Sequence, residues 1–262
     1  MPHTFSMKNR LITILLIAIC LFATGQNEQQ ASLLRKAYND QSSELLIEFF
    51  NNWADELSSN EDEATNRYVA EAHRIFTDFY HSIKWPKRKE PFIIVQDHLE
   101  KLSLTDKISA GDYFRGKVTP IDSALEFRPP VKFENKRAVY LSNSYKKLLD
   151  SFIKEEFDQF PLNTNMQIPD SNLTNPSHSW KIRRQFEQYM GDFLGIAAHT
   201  DNCRGMERWF YDFFPKVEQI ILNPAMNRAV IEYRFPITGG QAILEKRNNQ
   251  WVILEDRVTW ME

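Results

Sequence analysis

The chain has 262 residues, of which 42% are hydrophobic, 13% aromatic and 26% charged, and its formal net charge is −3. This composition supplies ample material for a packed core and excludes collagen-like and intrinsically disordered classes. The slightly acidic balance gives no indication of nucleic-acid binding.

The N-terminal segment has the layout of a secretory signal peptide. Two basic residues in "MKNR" (7–10) precede the apolar run 11–22, and small residues occupy positions 23–25. A membrane span needs about 20 apolar residues, which is more than this run provides. We therefore expect cleavage after Gly25, export to the periplasm or the medium, and a mature chain of charge −5 without a membrane span, because residues 1–25 contain two bases and no acids.

Two alternatives apply to this segment. Met7 is a second possible start, and Cys20 raises the possibility of a lipoprotein. Lipid attachment requires a small residue before the cysteine, and Ile19 stands there, so soluble export is favoured. Cys203 is then the single cysteine of the mature chain, and no intramolecular disulfide can form.

Helical spacing dominates residues 27–84. Apolar residues at intervals of three and four predict one long or two broken amphipathic helices over 28–57. Ser58, Ser59 and Asn60 offer N-cap oxygens ahead of the acidic residues 61–63, which predicts a further helix from there to about Ile83.

Residues 90–200 show a mixed pattern. Short runs rich in β-branched or aromatic residues predict strands over 92–96, 113–118 and 137–142. Helical spacing returns over 145–157 and 180–194, on either side of a long polar loop.

The C-terminal pattern is the most regular. Four runs, 217–222, 229–235, 241–247 and 251–260, are separated by turn compositions and predict a four-stranded antiparallel meander over 217–260. We expect Gly239 and Gly240 at or beside a turn, where glycine tolerates a positive φ. The expected fold is one α+β domain over 26–262, with N-terminal helices packed on a curved antiparallel sheet.

Helices followed by a bent antiparallel sheet that ends in the hairpin "GGQAILEKRNNQWVILE" resemble the NTF2-like, cone-shaped fold. The same hairpin is similar to exported domains of unknown function from Bacteroidetes. The resemblance is concentrated in residues 195–262 and implies a concave sheet face closed by helices. NTF2-like folds host both enzymes and non-catalytic binders, so the resemblance does not choose between them.

Two segments suggest a nucleotide site or a metal site, but neither matches the pattern that such a site requires. "GDYFRGKVT" (111–119) departs from the phosphate-loop pattern at Val118, and Pro120 opposes the helix that must follow such a loop. His73 and His81 share a helix face with Asp78 nearby, but His73 falls on the apolar stripe, which favours a core-edge histidine hydrogen-bonded to a neighbour. No metal and no cofactor are expected.

Aromatic residues suggest a ligand site. The block "RWFYDFFP" (208–215) has bulky side chains at nearly every position, and these cannot all be hidden in a core. We predict ligand contacts from the following residues: Trp180, Trp209, Phe210, Tyr211 and Tyr233.

The stretch "HTDNCRG" (199–205) supplies the residue types of a nucleophilic cysteine site in Cys203, His199 and Asp201. The segment is rich in turn-forming residues, and a loop does not hold the histidine and the cysteine at a fixed distance. An unpaired cysteine is also more often a small buried hydrophobic residue. No catalytic residue is therefore assigned. The expected function is a non-catalytic binding or interaction module for a small molecule, a glycan or a protein, and the alternative is a small hydrolase or isomerase that uses the Cys203 and His199 pair.

Overall fold

The computed structural model describes residues 27–58, 66–82, 89–108, 117–131, 135–163, 176–198, 215–235 and 238–261. These residues form an α+β protein, as predicted. The helices are α1 (27–39), α2 (Ser43–Glu56), α3 (Arg67–Ser82), α4 (Asn143–Asn163) and α5 (Pro176–Leu194). None of these helices combines the length and the apolarity that crossing a membrane requires.

The first predicted helical segment is two helices. Gln41 has a φ of 49°, a left-handed conformation that ends α1, and Ser42 then caps α2 by accepting a hydrogen bond from the Leu45 amide at 3.3 Å.

The predicted start of the next helix is wrong. α3 begins at Arg67, and its cap is Asn66, whose side-chain oxygen accepts the Tyr68 amide at 2.9 Å. Ser58 therefore does not cap α3, and residues 59–65 lie outside the described chain.

The strands are β1 (Phe92–Gln96), β2 (His98–Leu104), β3 (Thr119–Glu126), β4 (Arg137–Leu141), β5 (Lys216–Leu222), β6 (Arg228–Arg234), β7 (Thr238–Arg247) and β8 (Gln250–Met261). The predicted strands over 92–96 and 137–142 are confirmed. Of the strand predicted over 113–118, residues 117 and 118 are not part of a strand, and residues 113–116 lie outside the described chain. β3 begins directly after this segment, at Thr119.

The described strands form two sheets. A parallel pair joins β1 to β4, and the larger sheet has the order β3-β2-β5-β6-β7-β8. The strands β5 to β8 are neighbours in chain order, each antiparallel to the next, while β2 runs parallel to β5. The larger sheet is therefore mixed rather than purely antiparallel.

Two apolar cores flank the β1–β4 pair. The first core (the helical core) lies among α1, α2, α4 and α5, and the second (the sheet core) lies between α3 and the larger sheet. Side chains alternate along a strand, so Phe92 and Ile94 enter the helical core while Val95 enters the sheet core. The short parallel pair is thus a wall that both cores share.

Polar side chains join this wall to its surroundings. The amide of buried Gln96 pairs with the backbone of Val217 at the start of β5, accepting from its N–H at 2.7 Å and donating to its carbonyl at 2.9 Å. On the other side, the Trp53 indole donates to the Tyr140 carbonyl at 2.9 Å. These bonds satisfy backbone groups that would otherwise be buried without partners.

Candidate functional site

Most of the predicted site residues lie outside the described chain. This applies to His199, Asp201, Cys203, Trp209, Phe210 and Tyr211. Trp180 belongs to α5, but its side chain also lies outside the described set. Tyr233 on β6 is the predicted ligand residue whose surroundings are described.

The two points that flank residues 199–214 are anchored on different elements. Ala198 forms a parallel bridge with Phe92 at the start of β1. Pro215 precedes β5, and its carbonyl accepts the hydroxyl of buried Tyr80 from α3 at 2.6 Å. Ala198 therefore lies beside the β1–β4 pair, and Pro215 lies beside the C-terminal end of α3.

Tyr233 lies at that same end of the larger sheet. Its ring contacts Phe79 of α3, with centroids 5.3 Å apart, and Phe235, with centroids 5.7 Å apart. Its hydroxyl donates to Oδ1 of Asp256 on β8. Burial, followed by the Asp256 carboxylate, raises the pKa of Tyr233, so the phenol stays protonated and remains a donor at physiological pH.

The ligand contact predicted for Tyr233 stays a prediction, and the structure adds a supporting contact to it. The side chain is only 7% exposed, whereas Asp256 is exposed to solvent. Tyr233 therefore orients a carboxylate that is itself exposed.

The explanation predicted for the two glycines is wrong. Gly239 and Gly240 are the second and third residues of β7, beside the connection from β6 as predicted, but neither has a positive φ. They lie opposite Arg234 and Tyr233. A Cβ at Gly240 would lie 2.8 Å from the Arg257 carbonyl oxygen and closer still to the Tyr233 hydroxyl, while a Cβ at Gly239 would overlap the Trp260 indole. The glycines are needed because aromatic rings lie directly against the backbone of β7.

Exposed large hydrophobic side chains are concentrated on β8. Of the seven that the described residues contain, five lie on this outermost strand: Val252, Leu254, Val258, Trp260 and Met261. The exposed fraction of these residues ranges from 36% for Leu254 to 73% for Met261. Such a concentration on one strand is typical of a surface that another molecule covers.

The N-terminal end of β8 and the neighbouring end of β7 are joined to α3 by polar contacts. Glu71 is buried and accepts hydrogen bonds from the Trp251 indole at 2.6 Å and from the Lys246 ammonium at 2.7 Å. Asp78 accepts the Trp251 amide at 2.7 Å. These acids are occupied in joining helix to sheet, so Asp78 does not form the acid–base group with histidine that its position on the helix suggests.

His73 is a core residue rather than a core-edge one. It is 1% exposed, its ring lies 4.3 Å from that of Phe127, and Nδ1 has no hydrogen-bond partner within the described part of the chain. The predicted hydrogen bond to a neighbour is therefore not found at this nitrogen. Burial lowers the pKa of His73 to about 4, which keeps the imidazole neutral at physiological pH.

A second perturbed group lies among the helices. Glu156 of α4 is 7% exposed, and burial raises its pKa, with Arg35 opposing the shift. Burial and the nearby Glu156 carboxylate also raise the pKa of Tyr38, whose ring lies 5.8 Å from that of half-exposed Tyr189. No pattern in the sequence "KEEF" distinguishes this buried acid from its exposed neighbour, so sequence reasoning missed it.

The phosphate-loop hypothesis receives no support. Residues 111–116 of "GDYFRGKVT" lie outside the described chain, but the residues that follow form strand β3 rather than the required helix. In the described ranges, no group of three or more His, Cys, Asp or Glu side chains is placed to hold a metal ion.

Comparison of the chain with protein-family models, with curated proteins and with solved structures gives no match. Function must therefore be argued from the site itself.

The prediction for Cys203 stays a prediction. Because the cysteine lies among turn formers just ahead of a bulky aromatic run, we expect a shielded thiol that reacts slowly in the native protein. Labelling with a thiol reagent at pH 6 should be slow, since an ordinary thiol with a pKa of about 8.5 is almost wholly protonated there. Rapid labelling at that pH would instead reveal a lowered pKa and favour the nucleophilic cysteine.

Proposed function

We propose that this chain is a non-catalytic binding or interaction module that contacts its partner along β8. The observation that carries the proposal is the concentration of exposed apolar side chains, on both faces, along the outermost described strand of the larger sheet. Soluble proteins rarely leave a long apolar outer strand uncovered, because such a strand recruits other chains. The proposal also includes export, on the basis of the charged, apolar and small-residue segments of residues 7–25.

We further propose that the C-terminal half is NTF2-like. Two features support the relationship: β5 to β8 pair in chain order, and α3 packs against the sheet through Phe76, Phe79 and Tyr80. An NTF2-like arrangement would place Tyr233 on the face that the helix covers.

One observation favours a second function, that of a small hydrolase or isomerase. Glu156 is a buried acid with a raised pKa beside Tyr38, which are properties of a general acid. It lies in the helical layer, whereas His73 lies in the sheet core, so the two perturbed groups do not converge on one site.

Site-specific photo-crosslinking tests the binding proposal. A benzoylphenylalanine side chain placed at Leu254 or Trp260, in cells that produce the protein, should give covalent adducts of defined mass. The matched controls are Tyr189 and Ile196, which are 41% and 45% exposed and lie away from β8. Adducts at the control positions with none on β8 would contradict the proposal and move the binding surface to the helical layer.

A further inference from the structure

The Asp256 carboxylate lies among exposed apolar side chains of β8 and is oriented by a hydrogen bond from Tyr233. Its Oδ1 accepts the Tyr233 hydroxyl, and no described side chain donates to Oδ2. Because Tyr233 is itself held between Phe79 and Phe235, the carboxylate has a fixed orientation before any ligand arrives. A ligand therefore meets one oriented oxygen without first ordering the side chain.

The charge of Asp256 is not balanced by an ion pair within the described chain. The neighbouring charges are balanced: Arg257 pairs with Glu255 on β8 itself, and Arg234 pairs with Glu218 at 3.6 Å. Asp256 thus contributes a negative charge that no described cation pairs with. The complementary group on a partner is a cation.

Apolar side chains stand on both sides of this charge. Val258 and Met261 lie on the same face of β8 as Asp256, because their partners on β7 are Gly240 and Thr238 while the partner of Asp256 is Ala242. Leu254 precedes Asp256 at a register shift, and these three apolar side chains are each at least 36% exposed. A partner that covers the strand must therefore bring apolar residues with a single cation between them.

We propose that β8 binds an extended polypeptide segment that carries one lysine or arginine flanked by apolar residues, with the cation at Oδ2 of Asp256. This inference rests on the proposed function and names the partner of the same surface. A second copy of the chain fits less well, because antiparallel pairing about Asp256 brings the two equal carboxylates opposite each other.

The test uses three fluorescein-labelled octapeptides that differ at one central position. Valine and leucine flank lysine in the first, norleucine in the second and glutamate in the third. Fluorescence polarisation at low salt should show the lysine peptide binding roughly fivefold more tightly than the norleucine peptide, the upper range for a solvent-accessible ion pair. Added salt should reduce this preference.

Variants of the protein assign the preference to Asp256. Asp256→Asn should abolish the preference for lysine, Asp256→Lys should transfer it to the glutamate peptide, and Tyr233→Phe should weaken it by releasing the carboxylate. Glu48→Gln, at an exposed acid on α2, is the matched control and should change nothing. Circular dichroism of each variant checks that the fold is retained.

Two results would overturn the inference. Equal affinity for lysine and norleucine peptides would show that no cation is recognised, while the apolar binding surface itself would stand. Failure of all three peptides to bind, with sedimentation showing a dimer that Leu254→Lys disrupts, would replace the polypeptide partner with a second copy.

Discussion

Replacing His73 with leucine should make the protein markedly more resistant to acid. The folded state holds His73 neutral with a pKa of about 4, whereas an unfolded chain protonates histidine near its ordinary pKa of about 6.5. Stability from this residue is therefore complete above pH 6.5 and falls as the pH drops towards 4. At pH 4.5 the difference amounts to about 2 kcal/mol, after allowance for solvent screening.

Urea unfolding at pH 7.5 and pH 4.5 measures this effect. The wild type should lose about 2 kcal/mol more than His73→Leu between the two pH values. Ile75→Leu, a non-titrating change at a buried position on the same helix, serves as the control and should keep the wild-type acid sensitivity. Equal acid sensitivity of wild type and His73→Leu would show that water or another donor already solvates the imidazole in the folded state.

Replacing Gly240 with valine should destabilise the protein by about 3 kcal/mol, the upper range for overpacking. The new side chain would collide with the Arg257 carbonyl oxygen, which belongs to the backbone and cannot move without disturbing the pairing of β7 with β8. It would also displace the Tyr233 phenol from Asp256. Thermal unfolding measures the loss.

Gly239→Val is the matched comparison. The nearest atoms to its Cβ all belong to the Trp260 side chain, which is 40% exposed and able to turn away. We expect a loss of about 1 kcal/mol, from the indole contact alone. A larger loss at Gly239 than at Gly240 would contradict the assignment of Tyr233 and Arg257 as the limiting neighbours.

The strands β5 to β8 could be predicted because apolar alternation and short turn sequences are local signals. β2 and β3 could not be predicted in the same way. In β2, Glu100 and Lys101 interrupt the apolar run, and Glu100 finds its partner in Lys216, 116 residues later. In β3, Pro120 opposes a strand assignment, yet β3 is at the edge of the described sheet, where proline is tolerated.

The candidate site was only partly predictable for a similar reason. Tyr233 stood out as an aromatic residue in a regular strand, but its role depends on Asp256, which is 23 residues away in sequence. Register shifts in the pairing of β7 with β8 decide which β8 residue faces Tyr233. A one-residue change of register would turn that carboxylate to the other face, and composition carries no information about this choice.

The β1–β4 pair has a consequence for how the protein unfolds. Each of its faces completes a different core. If one core unfolded alone, the apolar side chains on one face of β1 and β4 would become exposed to water. Cooperativity follows when separate structural units share a buried surface. Heating should therefore produce one transition, with helical circular dichroism and the near-ultraviolet signal of the sheet aromatics lost together.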